Sequence, residues 1–292
     1  MNYILTLVSS EIEKPLLHDH LKEVEKCLSV EVQGLHWLSP GKAADLQLSD
    51  RPDKSARMAL ELLLSEDRID FFIITDDHVR RKKLLVADMD NTMVVGETLD
   101  ELAAQCGLKE KIAAITDLAM RGDLDFQAAL RSRVAMLQNL PELALQKTLA
   151  EIRPMPGAEL LIKTMRNHGA MCVLASGGFT CFTEPIGKML FFQFSHGNRL
   201  EIRDGLLTGK VKEPVLDHQS KLFFLQHYQA TGNLDITDTL AIGDGANDLA
   251  MINGAGLGVG FHPKPFLKER VENNVLYGDL TALLYAQGYE KF

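Results

Sequence analysis

The sequence predicts an α/β protein in which a parallel sheet with packed helices follows a smaller α+β domain. Three short, mainly apolar runs, at 84–87, 171–175 and 239–242, are each followed closely by acidic residues or glycines. Runs of this kind are typical of strands buried on both faces. Between the first two lies a long stretch with helical periodicity, at about 97–152. We therefore expect a Rossmann-like core with a helical cap inserted after its first strand.

Length and composition are those of an ordinary globular protein. The chain has 292 residues, of which 46% are hydrophobic and 24% charged, and its formal net charge is −9. The negative charge argues against a nucleic acid or an anionic membrane as partner. The sequence shows neither a run of about 18 apolar residues nor a signal peptide, and its cysteines lack metal-ligand spacing. We expect a cytoplasmic protein.

Residues 1–80 are predicted to form a separate domain. Their pattern alternates in the order strand, helix, strand, strand, helix, strand, and Asp53 is a suitable N-cap for the second helix. This βαββαβ order is that of ferredoxin-like domains, and it resembles the ACT domains that bind amino acids in some metabolic enzymes. Serine binding and a role in assembly, such as a homodimer, are the two hypotheses for it. His18 and His20 are interpreted as solvated helix residues rather than a metal pair.

A basic tetrad at 80–83 separates the two predicted units. We interpret it as a solvated linker before a buried strand, and not as a localisation signal. The predicted domains are therefore residues 1–80 and residues 81–292.

The first strand of the core ends in two carboxylates, Asp88 and Asp90. At the carboxyl end of a parallel strand they lie where open α/β folds place their ligands. Two acids this close repel each other, so that either a cation lies between them or one of them holds a proton. A hard divalent ion such as Mg²⁺ suits oxygen ligands. Taken alone, however, an Asp-x-Asp pair after a strand is more often a capped turn.

The stretch after this strand is divided into helices by glycines and a proline. Helices inserted over the end of a strand can exclude water and complete a site on closure. Further along the chain, Asp204-Gly205 lies between alternating residues and predicts a hairpin. The four cap helices are expected at 99–106, 109–120, 126–138 and 141–151.

The second and third core strands also end in residues suited to ligands. The second ends in Ser176-Gly177-Gly178, where backbone N–H groups can approach an anion. The third ends in the stretch 243–248, with two aspartates, and Lys221 falls in the helix before it. Parallel strands bring these ends together, and the resulting set of groups suits a phosphoryl group. One carboxylate can act as the nucleophile through an aspartyl phosphate.

These motifs resemble, in order and spacing, the four motifs of the haloacid dehalogenase (HAD)-like phosphatases. The resemblance is closest to the branch that hydrolyses phosphoserine, and it extends from about residue 84 to residue 292. The matching positions are Asp88 to Thr92, Ser176 to Gly178, Lys221, Gly243 to Asp248 and, in the cap, Glu97, Met120, Phe126 and Arg133.

The resemblance implies catalytic and metal-binding roles for four aspartates. Asp88 attacks phosphorus, and Asp90 acts first as general acid and then as general base. Mg²⁺ is held by the Asp88 carboxylate, the Asp90 backbone carbonyl and Asp244. Asp248 supports these ligands.

The resemblance also implies which residues bind the substrate. Lys221, Ser176 and Gly177 hold the phosphate, with Asn247 and Gly178 as further members of the group. In the cap, an acid and a base are needed for the ammonium and the carboxylate of an amino acid. Glu97 and Arg133 supply this pair, and Met120 and Phe126 form the pocket walls.

The implied function is Mg²⁺-dependent hydrolysis of O-phospho-L-serine to L-serine and phosphate, the last step of L-serine biosynthesis. One alternative is a phosphatase of the same class that acts on another small phosphomonoester. The other is a non-catalytic amino-acid sensor in which the ACT-like domain is the working part. A decayed enzyme should have lost Asp88, Asp90 or Lys221, and all three are present.

Overall fold

The computed structural model describes residues 2–11, 13–76, 79–121 and 124–292, without the side chains of residues 119–121, 126 and 218. Within these residues the chain forms eleven strands and twelve α-helices. The strands are β1 (Tyr3–Ser9), β2 (Val32–Ser39), β3 (Ala43–Leu48), β4 (Ile69–Thr75), β5 (Leu84–Ala87), β6 (Met171–Phe179), β7 (Phe194–Arg203), β8 (Leu206–Lys212), β9 (Thr239–Gly243), β10 (Leu257–Phe261) and β11 (Asn273–Val275). The helices are α1 (His18–Cys27), α2 (Lys54–Ser65), α3 (Thr98–Ala104), α4 (Lys109–Arg121), α5 (Phe126–Ala135), α6 (Leu143–Glu151), α7 (Ala158–Asn167), α8 (Thr180–Met189), α9 (His218–Thr231), α10 (Leu249–Asn253), α11 (Pro265–Lys268) and α12 (Ala282–Ala286).

All of these strands belong to one sheet, in the order β2-β3-β1-β4-β11-β10-β9-β5-β6-β7-β8. The central strand β5 pairs in parallel with β6 on one side and with β9 on the other. Each of its four residues is buried, which explains why the run is entirely apolar. The predicted α/β core and its three parallel strands are therefore confirmed. No helix in the described ranges is both long and apolar enough to cross a membrane.

The helical cap lies between β5 and β6, as predicted. It consists of α3 to α6, and α5 ends at Ala135 rather than at the expected residue 138. The cap is held to the β7–β8 hairpin, because the N–H of Asn139 donates to the carbonyl of Leu207 over 2.8 Å. At the predicted turn, Asp204 and Gly205 have φ values of 51° and 74°, as a type I′ hairpin requires.

Residues before β5 form the predicted βαββαβ order, with the strands paired in the antiparallel order β2-β3-β1-β4. Asp53 caps α2 and accepts a hydrogen bond from the N–H of Ala56 over 2.8 Å. His18 packs on Trp37 with ring centroids 5.2 Å apart, and His20 accepts a hydrogen bond from a backbone N–H. The division into two domains and the likeness to ACT domains stay predictions.

The N-terminal unit joins the core through the sheet itself. Phe71 of β4 lies opposite Asn274 of β11 in antiparallel pairing. The carboxylate of Asp70, next to it, accepts hydrogen bonds from three consecutive backbone N–H groups, at residues 276–278, over 2.7 to 3.1 Å. The strands of the two units therefore belong to one continuous sheet, and the Asp70 carboxylate adds further bonds across the junction.

The interpretation of the basic tetrad as a solvated linker is wrong for Arg80 and Lys82, whereas Arg81 and Lys83 are exposed as expected. Arg80 donates to Asp45 over 2.6 Å and to the carbonyls of Tyr285 and Ala286. The ammonium of Lys82 is also largely buried and donates to two backbone carbonyls. Arg80 and Lys82 lie just before β5 and close to the C-terminal helix α12, so they find partners that are distant in sequence.

Candidate active site

A buried ion-pair triad lies at the carboxyl end of β5. Asp88 extends β5 by donating its N–H to the carbonyl of Ile242 over 3.0 Å. Helix α9 begins three residues before Lys221, and this brings its ammonium to 2.6 Å from Asp88 Oδ1. The same ammonium lies 2.6 Å from Asp248 Oδ1, and all three side chains are buried. The structure thus brings together three of the predicted site residues.

Asp248 is held by the loop that follows β9. Its Oδ2 accepts hydrogen bonds from the N–H groups of Asp244 and Gly245, each over 3.1 Å. A Cβ at Gly243 would lie only 2.2 Å from the Asp248 carboxyl carbon, so that position requires glycine. Because both oxygens of Asp248 already have partners, this residue orients the site more than it offers a ligand atom.

The carboxylates of Asp88, Asp244 and Asp248 form a buried cluster that could hold a metal ion. One oxygen from each lies within 4.8 Å of the other two. With Asp248 engaged, Asp88 and Asp244 are the carboxylates available to a cation. A site made only of oxygens suits a hard divalent ion. The donor set therefore fits the predicted metal.

This buried cluster has three carboxyl groups but only two lysines beside it, Lys221 and Lys264, so negative charge is in excess when all of these groups are ionised. Burial and the charge of Asp248 raise the pKa of Asp88 to about 7, against the opposing effect of Lys221. Burial likewise raises the pKa of Asp244 to about 8. Burial alone would lower the pKa of Lys221, but the charges of Asp248 and Asp88 outweigh it and raise the pKa. A divalent cation would offset the excess charge and favour the ionised carboxylates.

Lys264 is a member of the site that the sequence did not predict. Its ammonium lies 3.3 Å from Asp244 Oδ2 and 3.4 Å from Glu97 Oε1, between the core and the cap. The backbone N–H of Lys264 donates to the carbonyl of Asp244 over 2.8 Å, which ties the segment after β10 to the loop after β9. The available signal was its position just after β10, which pairs in parallel with β9 and ends at the same edge.

Asp90 lies at the start of the cap. Its Oδ1 accepts a hydrogen bond from the N–H of Thr98, in the first turn of α3, over 2.8 Å. Burial raises the pKa of Asp90 well above its ordinary value, and the charges of Glu97 and Asp88 raise it further. The direction of this shift favours the protonated form, which a general acid requires.

Strand β6 continues through Gly177 and Gly178 to Phe179, beyond its predicted end at residue 175, and α8 begins at Thr180. The N–H of Gly178 donates to Ser176 Oγ over 2.9 Å. A Cβ at Gly178 would lie 3.1 Å from Ser176 Oγ and 3.3 Å from Asp90 Oδ2, so glycine leaves room at this point. Gly177 and Gly178 therefore line the same cavity as the carboxyl groups of Asp88 and Asp90.

Asn198, on β7, fixes this stretch and was also missed by the sequence analysis. Its amide donates to the carbonyl of Gly177 over 2.8 Å, and its Oδ1 accepts from the N–H of Leu216 over 2.7 Å. The side chain is buried. Nothing in the sequence marks an asparagine within a strand as part of a site.

A cavity opens between the ends of these strands and the cap. Glu97 and Arg133 line it together with Asp88 and Asp90. Asn247 Oδ1 is buried and has no hydrogen-bond partner within the described residues. The side chains of Met120 and Phe126 lie outside the described residues. The lining consists of Asp88, Asp90, Glu97, Leu99, Leu130, Arg133, Ser176, Gly177, Gly178, Phe179 and Asn247.

The guanidinium of Arg133 is held in place by the cap. It donates to Thr116 Oγ1 over 2.9 Å and to the carbonyl of Ala129 over 3.3 Å. Thr116 in turn donates to Asp100 Oδ1 over 3.1 Å, and burial, with the charge of Glu97, raises the pKa of Asp100 to about 6. Arg133 is thus oriented by neighbours while its side chain still faces the cavity.

Comparisons with known proteins agree with this geometry. The family model described as haloacid dehalogenase-like hydrolase matches residues 85–253. A phosphoserine phosphatase of Haemophilus influenzae is 45% identical over 201 residues, which are 69% of this chain and 64% of the relative. A solved structure described as a phospho-aspartyl intermediate analogue of phosphoserine phosphatase is 38% identical, with a TM-score of 0.67, and the match covers 70% of this chain and 98% of that one.

A further solved structure is similar along its full length. It is a HAD family hydrolase from Salmonella enterica serovar Typhi, 25% identical, with a TM-score of 0.85 and 98% of both chains covered. Several curated relatives are longer than the matched segment. The chain spans 57% to 64% of the phosphoserine phosphatases of Mycobacterium tuberculosis, Streptomyces coelicolor and H. influenzae.

Proposed function

The chain belongs to the haloacid dehalogenase-like hydrolases, and we propose that it is a Mg²⁺-dependent phosphatase that hydrolyses O-phospho-L-serine to L-serine and phosphate. One observation carries the substrate assignment. Glu97 and Arg133 line the same cavity as Asp88 and Asp90, so that one further acid and one base share this space with the reacting carboxyl groups. A phosphorylated amino acid carries the complementary charges.

Asp88 is proposed as the nucleophile. One of its carboxylate oxygens bonds to phosphorus, the bond from phosphorus to the serine oxygen breaks, and its electron pair leaves with serine. The ammonium of Lys221, 2.6 Å from Asp88 Oδ1, favours the ionised form that this step requires. It also offsets the charge of the phosphoryl group.

Asp90 is proposed to move the proton in both half-reactions. Its raised pKa favours the protonated form, and in the proposed first step this proton passes to the departing serine oxygen. The resulting carboxylate then takes a proton from the water that attacks phosphorus in the aspartyl phosphate. Phosphate leaves, Asp88 is regenerated, and Asp90 is protonated again.

The carboxylates of Asp88 and Asp244, with the Asp90 backbone carbonyl, are proposed to hold Mg²⁺, and Asp248 supports them. When bound, the ion would offset phosphoryl charge and polarise its oxygens. Lys264, 3.3 Å from Asp244, occupies part of this region and would have to share Asp244 with the ion.

Phosphate contacts are proposed for Ser176, Gly177, Lys221 and Asn247. Ser176, Gly177 and Asn247 line the same cavity as Asp88 and Asp90, which supports a ligand at this point. The homodimer, the serine site in residues 1–80, the cytoplasmic location and the pocket walls at Met120 and Phe126 stay predictions.

The proposal is tested by phosphate release from O-phospho-L-serine, measured with Mg²⁺ and again with excess chelator. We expect rapid release that the chelator abolishes and added Mg²⁺ restores. No release from phosphoserine, together with turnover of other phosphomonoesters, would contradict the substrate but retain the reaction class. No turnover of any phosphomonoester would contradict the enzyme assignment and favour the sensor alternative.

Exchanging Arg133 for alanine is expected to lower kcat/KM for phosphoserine by about 10²- to 10³-fold, since a charge-assisted hydrogen bond to the substrate carboxylate is lost. O-phosphoethanolamine lacks that carboxylate, and its kcat/KM should change much less. Phosphoglycolate lacks the ammonium, and Glu97→Gln should spare it in the same way. Equal losses on all three substrates would show that Arg133 and Glu97 support the fold rather than recognise the substrate.

A further inference from the structure

A second cavity, of about 890 Å³, lies between the N-terminal unit and the core. One wall is the start of α2, and the other is the segment around α11, at 263–272. It shares no lining residue with the catalytic cavity. Its volume falls within the range of small-molecule sites, which is about 300–1,000 Å³.

Arg57 is a largely buried cation in this cavity whose bonding capacity is little used. Its side chain is 19% exposed, and its nearest acid, Glu61, is 4.0 Å away. The guanidinium also lies over the ring of Phe71, at 5.4 Å. Within the described residues it makes no hydrogen bond to another group. Burial lowers the pKa of Arg57, although the charges of Glu272 and Glu61 oppose the shift, and a bound anion would further stabilise the guanidinium.

Two lysines add to the positive charge at the mouth of the cavity. Lys54 lies on α2 and Lys268 on α11, on opposite walls, and both are exposed. In the described part of the chain neither ammonium has an acid within 4.0 Å. The cavity therefore presents two exposed ammonium groups without a close acid, together with Arg57, whose ion-pair partner within the described residues is Glu61 at 4.0 Å.

The acids of the cavity are mostly engaged elsewhere. Asp53 caps α2, and Glu272 forms an ion pair with Arg51. Glu269 lies 3.5 Å from Arg270. These pairs leave Glu61 as the acid nearest to Arg57, at the limit of ion-pair distance. The lining thus carries five cationic and four acidic side chains, a surplus of one positive charge.

Apolar side chains form the remaining wall. They include Met58, Ile73 and Val271, together with Pro263 and Pro265. Such a wall can cover the uncharged body of a ligand while the cations bind one end. A guanidinium binds phosphate through two parallel hydrogen bonds, and two flanking ammonium groups suit its double charge.

We propose that this cavity binds an organic phosphate of nucleotide size. The phosphate lies at Arg57, between Lys54 and Lys268, and the uncharged body lies on the apolar wall. This site is separate from the catalytic cavity and does not depend on the proposed reaction.

The test is calorimetric titration of AMP into the full-length Asp88→Asn variant, which cannot turn over a phosphate ester through Asp88. We expect one site, and at least tenfold weaker binding of adenosine, which lacks the phosphate. Adding Arg57→Met should weaken AMP binding by about 10- to 100-fold, the value of a hydrogen-bonded charge pair.

A second variant keeps the test independent of folding. Lys54→Ala with Lys268→Ala changes two exposed side chains and should also weaken AMP binding, whereas Lys147→Ala, an exposed lysine on α6, should not. Absence of AMP binding overturns the proposal. AMP binding that is unchanged in both the Arg57 and the double-lysine variants places the nucleotide elsewhere and overturns it as well.

Discussion

Asp88→Asn is expected to lower phosphate release from O-phospho-L-serine by about 10⁴-fold or more, since a carboxamide cannot form the aspartyl phosphate. The substitution preserves shape, and its amide oxygen can still accept the hydrogen bond that Lys221 gives over 2.6 Å. The loss should therefore fall on the reaction and not on the fold. Steady-state release with Mg²⁺ gives the first measurement, and the melting temperature shows whether the fold is kept.

Acid quenching during turnover gives an independent measurement of the same step. The parent protein should contain a phosphorylated species that hydroxylamine removes, and Asp88→Asn should contain none. Asp204→Asn is the matched control, because its left-handed turn position accepts asparagine readily. A variant at Asp88 that kept more than about one hundredth of the activity would contradict its role as the nucleophile.

Lys221→Met is expected to lower the free energy of unfolding by about 3–5 kcal/mol in the presence of chelator, in addition to abolishing activity. It removes the cation that lies 2.6 Å from both Asp88 and Asp248 and leaves two buried carboxylates facing each other. Chemical denaturation of parent and variant measures the difference. Lys210→Met, an exposed position on β8, is the control and should change stability little.

The stability loss in Lys221→Met should depend on pH. A carboxylate whose pKa is higher in the folded than in the unfolded state destabilises the fold as the pH rises above the unfolded value. Burial already raises the pKa of Asp88 to about 7 in the parent, and removing Lys221 raises it further. The deficit should therefore be small near pH 5, where the Asp88 carboxyl group can hold a proton, and larger at pH 8. A deficit that is equal at both values would show that lost packing, not charge, is responsible.

Much of the core was predictable because its signals are local. An apolar run such as 84–87 can be recognised as a buried strand without knowing its partners, and parallel pairing then brings Asp88, Ser176 and Asp244 to one edge. Glycine at 243 is equally readable, because its neighbour Asp248 lies five positions along the same loop.

The residues that were missed act across long sequence distances. Asn198 holds the backbone of Gly177 from another strand, and an asparagine in a strand carries no sign of this use. Lys264 reaches Glu97 across the space between the core and the cap. Arg80 was misinterpreted for the same reason, because its partner Asp45 lies on β3 of the N-terminal unit.

The junction between β4 and β11 affects what can be removed from this protein. Strand β11 has only three residues, and β4 covers the side that β10 does not. Without the N-terminal unit, that side would become an open sheet edge, and the backbone N–H groups at 276–278 would lose the Asp70 carboxylate. Open edges promote aggregation by pairing with other chains. The N-terminal unit therefore protects this sheet edge, and a catalytic core without it would need another group to cover the edge and prevent pairing with other chains.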